Sequence, residues 1–279
     1  MKEVFSLGLS VVIAIVGSFA IAPHRCIAGT TVTVGSNVAP SQQIPVEQID
    51  HQRWDNLLEQ YVDQAGNVNY AKWKQSTDDL QALDSYLATL STANPNASKD
   101  RAAKLAFWIN AYNSLTVRGI LREYPTTSIR NHTAKLFGYN IWDDLLLIVG
   151  GEPYSLNQIE HEVLRKMGEP RIHFAIVCAS RGCPRLRNEA YTPADVDAQL
   201  SDNATNFFAN SSNFQYNRAS GTFKLSAIMN WFADDFGNDR ASQLRSIAPF
   251  LPSKDARDAA MANAVSVVHL SYNWGLNEQ

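Results

Sequence analysis

Residues 154–186 read YSLNQIEHEVLRKMGEPRIHFAIVCASRGCPRL, and the order of signals within them decides how the rest of the chain is read. Ser155 with Gln158 three residues on is a capping-box pattern that starts a helix. Leu156, Ile159, Val163 and Leu164 give that helix an apolar stripe at helical spacing. Gly168 followed by Pro170 ends it. Ile172, Phe174 and Ile176 then alternate with His173, Ala175 and Val177, which predicts a short buried strand. Such a strand delivers Cys178 to its carboxyl end, ahead of residues 179–184 (ASRGCP), where ligands and chemistry tend to gather.

Outward from this stretch the pattern is mostly helical. Residues 101–124 are apolar on most sides and predict a long central helix. Asn110 and Asn113 interrupt it, and Asn is a poor interior helix residue that is costly to bury unpartnered. Each reads either as an amide holding a neighbouring loop or as a group aimed at a reaction centre. Leu80, Leu83, Tyr86, Leu87 and Leu90 repeat at three and four residues, the mark of an amphipathic helix against the core. Residues 141–149 predict a strand or short amphipathic element that ends at the Gly150-Gly151 turn. Thr192, Pro193 and Asp195 start a further helix. Residues 213–225 predict a small hairpin around Asn217 and Gly221, and 265–270 a last strand. No internal repeat and no second hydrophobic core is legible. The class expected is α+β, a mostly helical single domain (51–279) with a small sheet.

The 279 residues are 45% hydrophobic and 18% charged, ordinary for a globular protein with one sizeable core. A formal charge of -3, with Lys and Arg scattered, argues against a nucleic-acid partner. Residues 7–22 are nearly unbroken apolar sequence, shorter than the about 20 residues a membrane span needs. Residues 1–28 are therefore expected to be a signal peptide cut near Ala28, and 29–50 an exposed linker. The protein is then exported, periplasmic or extracellular, with no stable membrane span after cleavage. Loss of Cys26 with the signal leaves Cys178 and Cys183, which an oxidising compartment allows to pair.

A thiol nucleophile needs a base within reach and a group to orient that base. Cys178, at the strand end, is the expected nucleophile. His161, on the preceding helix, is the expected base, oriented by Glu160 or Asn110. His173 lies five residues from Cys178, so strand alternation puts the two on opposite faces. Asn113 and the backbone amides of residues 180–182 would hold an oxyanion. Ser180, Arg181, Gly182 and His173 are the expected substrate contacts. Cys183, followed by Pro184, reads as a resolving, disulfide-forming or structural thiol. A Cys-x4-Cys spacing with no second ligand pair is weak for zinc, so no metal is assigned. With no phosphate-binding loop or dinucleotide fingerprint, no cofactor is assigned either.

Four pieces in order carry a family resemblance: FWINAYN at 107–113, IEHEVLR at 159–165, HFAIVCASRGCP at 173–184 and YNWGLN at 272–277. On these the chain resembles the domain-of-unknown-function 547 family over about residues 54 to 277, as a bacterial exported member. In that family the cysteine matching Cys178 and the histidine matching His161 recur. Some plant members carry serine where Cys183 stands, and this resemblance favours Cys178 over Cys183 as the nucleophile and argues against a required disulfide. The resemblance further implies a permuted papain-like or transglutaminase-like arrangement. The function expected is a cysteine-dependent hydrolase or acyltransferase acting on an amide bond of a peptide or small thiol peptide. A binding or scaffold domain with a Cys178–Cys183 disulfide, or a thiol redox protein, are the alternatives.

Overall fold

The computed structural model describes residues 31–134 and 138–279. The expected signal peptide, with Cys26, lies outside the described residues. About half of the chain is helical, with three small sheets among the described residues, a mixed α+β fold.

At its centre runs the helix Arg101–Glu123, buried without interruption from residue 105 to 117. Asp100 starts it by accepting from the amides of Ala102 and Ala103, a carboxylate cap that also suits the positive end of the helix. Helices Gln52–Tyr61 and Thr77–Leu90 lie against one another, and the latter against the central helix. Trp54 stacks on Tyr86 across that contact at 5.9 Å, and Tyr61 stacks on Trp73 of the intervening helix Tyr70–Gln75 at 4.5 Å between ring centroids.

Strand Leu145–Val149 turns through Gly150 and Gly151 into Glu152–Ser155. Both glycines have positive φ, 60° and 87°, which a two-residue hairpin loop demands and other residues resist. The hairpin predicted at 213–225 is present as Phe214–Asn217 against Thr222–Leu225. Ser266–His269 joins it in parallel.

Three expectations are corrected. Residues 29–50 are not simply exposed linker. Val32–Val34 pairs in parallel with residues 145–147, Ile44–Pro45 pairs with Ala93–Asn94, and Val46 and Ile49 are buried. Alternating Thr and Val at 30–34 is a β signal that the absence of helical period concealed.

A second hydrophobic cluster also exists, in which Phe174, Phe207, Phe208, Phe214 and Phe223 meet Leu244, Ile247 and Leu251. Its members are contributed by separate short segments, so no one window of sequence displays it.

Finally, residues 172–177 form no strand. Pro170–Phe174 is a 3-10 helix that Glu169 caps at the amide of Arg171, and residues 176–178 follow as irregular chain. Proline fits the first turn of a helix because its missing N–H is unpaired there anyway. The groups a sheet ladder would have used go elsewhere: Ala175 C=O and Val177 N–H are both taken by the Asn113 side chain.

Candidate functional site

The predicted capping box forms. Gln158 N–H donates to Ser155 Oγ at 3.2 Å, and Ser155 N–H to Gln158 Oε1 at 2.9 Å. The helix then widens into a π-helical stretch, Gln158–Leu164, in which Arg165 N–H donates to the Glu160 carbonyl, five residues back. Such widened turns collect at functional sites because they swing side chains off the ordinary helical register. The helix stops at Gly168 with φ 65°, as its sequence predicts.

Glu160 and His161 face a cavity of about 240 Å³ that His173, Cys178 and Cys183 also line. Aromatic rings form most of the remaining wall: Tyr112, Trp142, Trp231, Phe232, Tyr272 and Trp274. Trp231 lies against Tyr272 at 4.8 Å and Trp274 at 5.8 Å. Burial pushes the Glu160 carboxyl up to about 7, against the smaller opposing pull of its Tyr112 hydrogen bond and of Arg165. Tyr112 OH donates to Glu160 Oε2 at 3.2 Å.

The two imidazoles are held differently. Arg165 lies 3.1 Å from His161 Nδ1. A guanidinium only donates, so that nitrogen accepts and the ring proton sits on Nε2. Burial, then the Arg165 charge, lowers the pKa of His161. His173 is held down to about 4, burial outweighing the attraction of Asp235. It donates from Nε2 to Asp235 Oδ2 at 2.7 Å and stacks on Phe232 at 4.1 Å. Asp235 also takes a two-pronged ion pair from Arg165, at 2.6 and 2.8 Å. Burial would raise the Asp235 pKa, but its bonds to Arg165 and His173 hold it below the usual range.

Cys178 and Cys183 are joined as a disulfide with their Cα atoms 6.3 Å apart. Ala179 between them adopts φ 53°, a left-handed conformation that costs a residue with a Cβ ~1–2 kcal/mol and turns the chain back on itself. Cys178 is partly exposed, whereas Cys183 is 9% exposed. Cys178 N–H donates to the inner sulfur at 3.0 Å, and the Ser180 and Tyr272 hydroxyls lie against both sulfurs, at 3.4 and 3.0 Å from Cys183 and 3.3 and 3.1 Å from Cys178. Burial raises the Tyr272 phenol pKa, so it stays protonated and able to donate. Among the described residues no group of three or more His, Cys, Asp or Glu is arranged to hold a metal ion.

Several of the expected site residues have other partners in this structure. Among the described residues His161 makes no hydrogen bond to Cys178, and neither Glu160 nor Asn110 orients it; Arg165 does. Asn110 exchanges two hydrogen bonds with the Tyr191 backbone, and Asn113 holds residues 175 and 177. Both are loop-holding amides. The expected oxyanion donors are occupied too, Arg181 N–H by Gly275 C=O and Gly182 N–H by Asn273 C=O. The Arg181 side chain bonds the Leu276 and Glu278 carbonyls. Ser180 touches both sulfurs and Tyr272. His173 lines the cavity with Cys178, because the strand that would have separated them is absent.

Asp235, Trp231 and Phe232 were not anticipated as site residues. Tyr112, Tyr272 and Trp274 lie inside motifs already singled out, and their own chemistry was the overlooked signal. Residues 179–182 meet the chain at 273–277 edge to edge, with Ser180 bridged to Leu276. A Cβ on Gly182 would come within 2.9 Å of Asn273 N and of the Tyr272 ring. Gly182→Ala is therefore expected to displace Tyr272 from the sulfurs and cost ~1–3 kcal/mol, read as a lowered urea midpoint.

Residues 96–208 match the family described as "Protein of unknown function, DUF547". No curated protein and no solved structure matches the chain. The matched stretch is narrower than residues 54–277, over which the motifs suggest the likeness. It holds Glu160, His161, His173 and both cysteines, while Trp231, Phe232, Asp235, Tyr272 and Trp274 come from beyond it. Through residues 96–208 the chain is similar to the DUF547 family.

Proposed function

We propose that the protein performs thiol–disulfide exchange through Cys178 and Cys183 on a small thiol or thiol peptide held in the aromatic cavity. The observation that carries this reading is the asymmetry of the disulfide: Cys178 is partly exposed, whereas Cys183 is buried and its sulfur alone receives the Cys178 N–H, the Ser180 and Tyr272 hydroxyls lying against both sulfurs. A substrate thiolate attacks Cys178 Sγ, a mixed disulfide forms, and the Sγ–Sγ electron pair leaves on Cys183. The Cys178 N–H, which reaches Cys183 alone, stabilises that thiolate and makes Cys183 the better leaving group. A second substrate thiolate then attacks the substrate sulfur of the mixed disulfide. Substrate disulfide departs and Cys178 is released as thiolate. Two thiols are oxidised, one disulfide is reduced, and the two protons lost by substrate pass to the cysteines. Glu160, in the same cavity with its pKa near neutrality, is suited to relay them. Export, expected from the apolar run at 7–22, accords with a disulfide that persists.

The test is equilibration in defined thiol–disulfide buffers, read by intact mass after alkylation. A potential in the range of labile pairs, ~-120 to -270 mV, is expected. Cys183→Ser should accumulate a mixed disulfide on Cys178, and Cys178→Ser should abolish exchange. A pair that resists reduction below ~-300 mV would instead make the bond structural and the domain a scaffold. The ring closed by a sequence separation of five is small, so reduction should cost only ~2 kcal/mol and leave the fold intact.

A cysteine hydrolase or acyltransferase is the second reading. It is favoured by the lining of one cavity by Cys178, His161 and Glu160. There, reduced Cys178 attacks an amide carbonyl after His161 exchanges its Arg165 bond for the thiol. Turnover of amide reporters under reductant, lost in both Cys178→Ala and His161→Asn, is its signature. Equal turnover in the wild type and Cys178→Ala would exclude it.

A further inference from the structure

The cavity beside the disulfide has an unusual charge arrangement for so apolar a wall. Glu160 is the one carboxylate lining it among the described residues. Its Oε2 has the Tyr112 hydroxyl, whereas Oε1 has no hydrogen-bond partner among the described residues. The other charges nearby are already matched. Arg165, on the same helix, is spent on Asp235, and His173 donates to that same aspartate. His161 receives its hydrogen bond from Arg165, and Tyr272 and Tyr112 remain neutral phenols. Glu162 and Lys166, also on this helix, are solvent-exposed. When ionised, Glu160 is a negative charge in a site walled by six aromatic rings, offset only in part by Tyr112 and by an Arg165 that is itself paired to Asp235.

Rings and carboxylate ask for the same complement. The face of an indole or phenol attracts a cation through its quadrupole, most strongly where water is excluded. A buried carboxylate is stabilised by an opposite charge within a few ångströms. A volume of about 240 Å³ lies just below the usual range for small-molecule sites, so the group held is compact. A neutral apolar ligand would fill the space but leave the carboxylate without a charge partner inside the cavity.

We propose that this cavity is a binding site for a small organic cation, an ammonium group bearing alkyl substituents, seated among Trp231, Trp274, Tyr272 and Phe232 and paired with Glu160. Combined with the exchange reading, on which this second step rests, the substrate is an aminothiol or its disulfide. Its ammonium lies in the cage and its sulfur beside Cys178. Binding the cation favours the ionised carboxylate, so affinity rises with pH until Glu160 is ionised without help and is constant beyond.

Titration of the oxidised protein with tetramethylammonium chloride, followed by tryptophan fluorescence, tests the site without any sulfur in the ligand. Expected are saturable quenching, an affinity about tenfold tighter at pH 8 than at pH 6, and little response to tert-butanol or sodium chloride. Glu160→Gln should weaken binding at least about tenfold and flatten its pH dependence. Trp231→Ala, at a position 47% exposed and so harmless to folding, should weaken it about fivefold or more. Equal affinity for tetramethylammonium and tert-butanol, or unchanged binding in both variants, overturns the proposal. Such a failure leaves the exchange reading standing, because potentials and mixed disulfides are measured without the cation. Loss of exchange with cation binding retained removes the aminothiol step and keeps the cage.

Discussion

Asn113→Leu is expected to destabilise the protein by ~3–5 kcal/mol. The side chain is 2% exposed. It accepts from Val177 N–H at 2.9 Å and donates to Ala175 C=O at 3.0 Å. Leucine matches its size but removes both partners, leaving a buried donor and a buried acceptor unpaired at ~1–3 kcal/mol each, beyond the bonds themselves. The irregular chain entering Cys178 has no ladder to fall back on, so the loosening should reach the disulfide. Urea denaturation gives the stability change, and the rate of thiol alkylation after mild reduction gives the local one. Lost activity with the urea midpoint unmoved would restore the reading of Asn113 as a group aimed at the reaction centre.

Glu160→Gln is expected to stabilise the protein by about 3 kcal/mol at pH 8 and to change little near pH 4. The carboxyl is raised from 4.5 to about 7 in the folded state. An acid so raised favours folding fully below the unfolded value, and that advantage is lost as pH climbs through about 7. Each pH unit between the two values is worth about 1.4 kcal/mol. His51 and His173 act with the opposite sign. Burial lowers both from 6.5 to about 4; their contribution is full above 6.5 and fades as pH falls through 4. In the wild type the glutamate therefore masks part of the histidine slope between pH 4.5 and 6.5. In the variant the full rise should emerge, followed by a plateau. Urea midpoints at pH 4.5, 6.5 and 8 measure this, and a wild-type–variant difference independent of pH would mean that Glu160 is not a buried acid.

The parts of the fold that local sequence determines were legible. Ser155 and Gln158 cap as their spacing says, Gly168 stops the helix, and the hairpin at 213–225 follows its turn residues. What escaped was set by groups distant in the chain. Alternation at 172–177 has the look of a strand, but the Asn113 amide, more than sixty residues away, takes the hydrogen bonds a neighbouring strand would have made. The same distance hid the roles of the asparagines, since nothing near Asn110 indicates that its partner is the Tyr191 backbone. The cysteines and His161 drew attention by their chemical type and do line one cavity. Tyr272, 94 residues beyond Cys178, had no local pattern marking it as a neighbour of sulfur.

That separation bears on the order of events during synthesis. The two cysteines emerge almost together, while the phenol that shelters them arrives ~5–20 s later at ordinary translation rates. In the interval the young thiols are bare. They can be oxidised, or captured by a foreign partner, before their tyrosine lid exists.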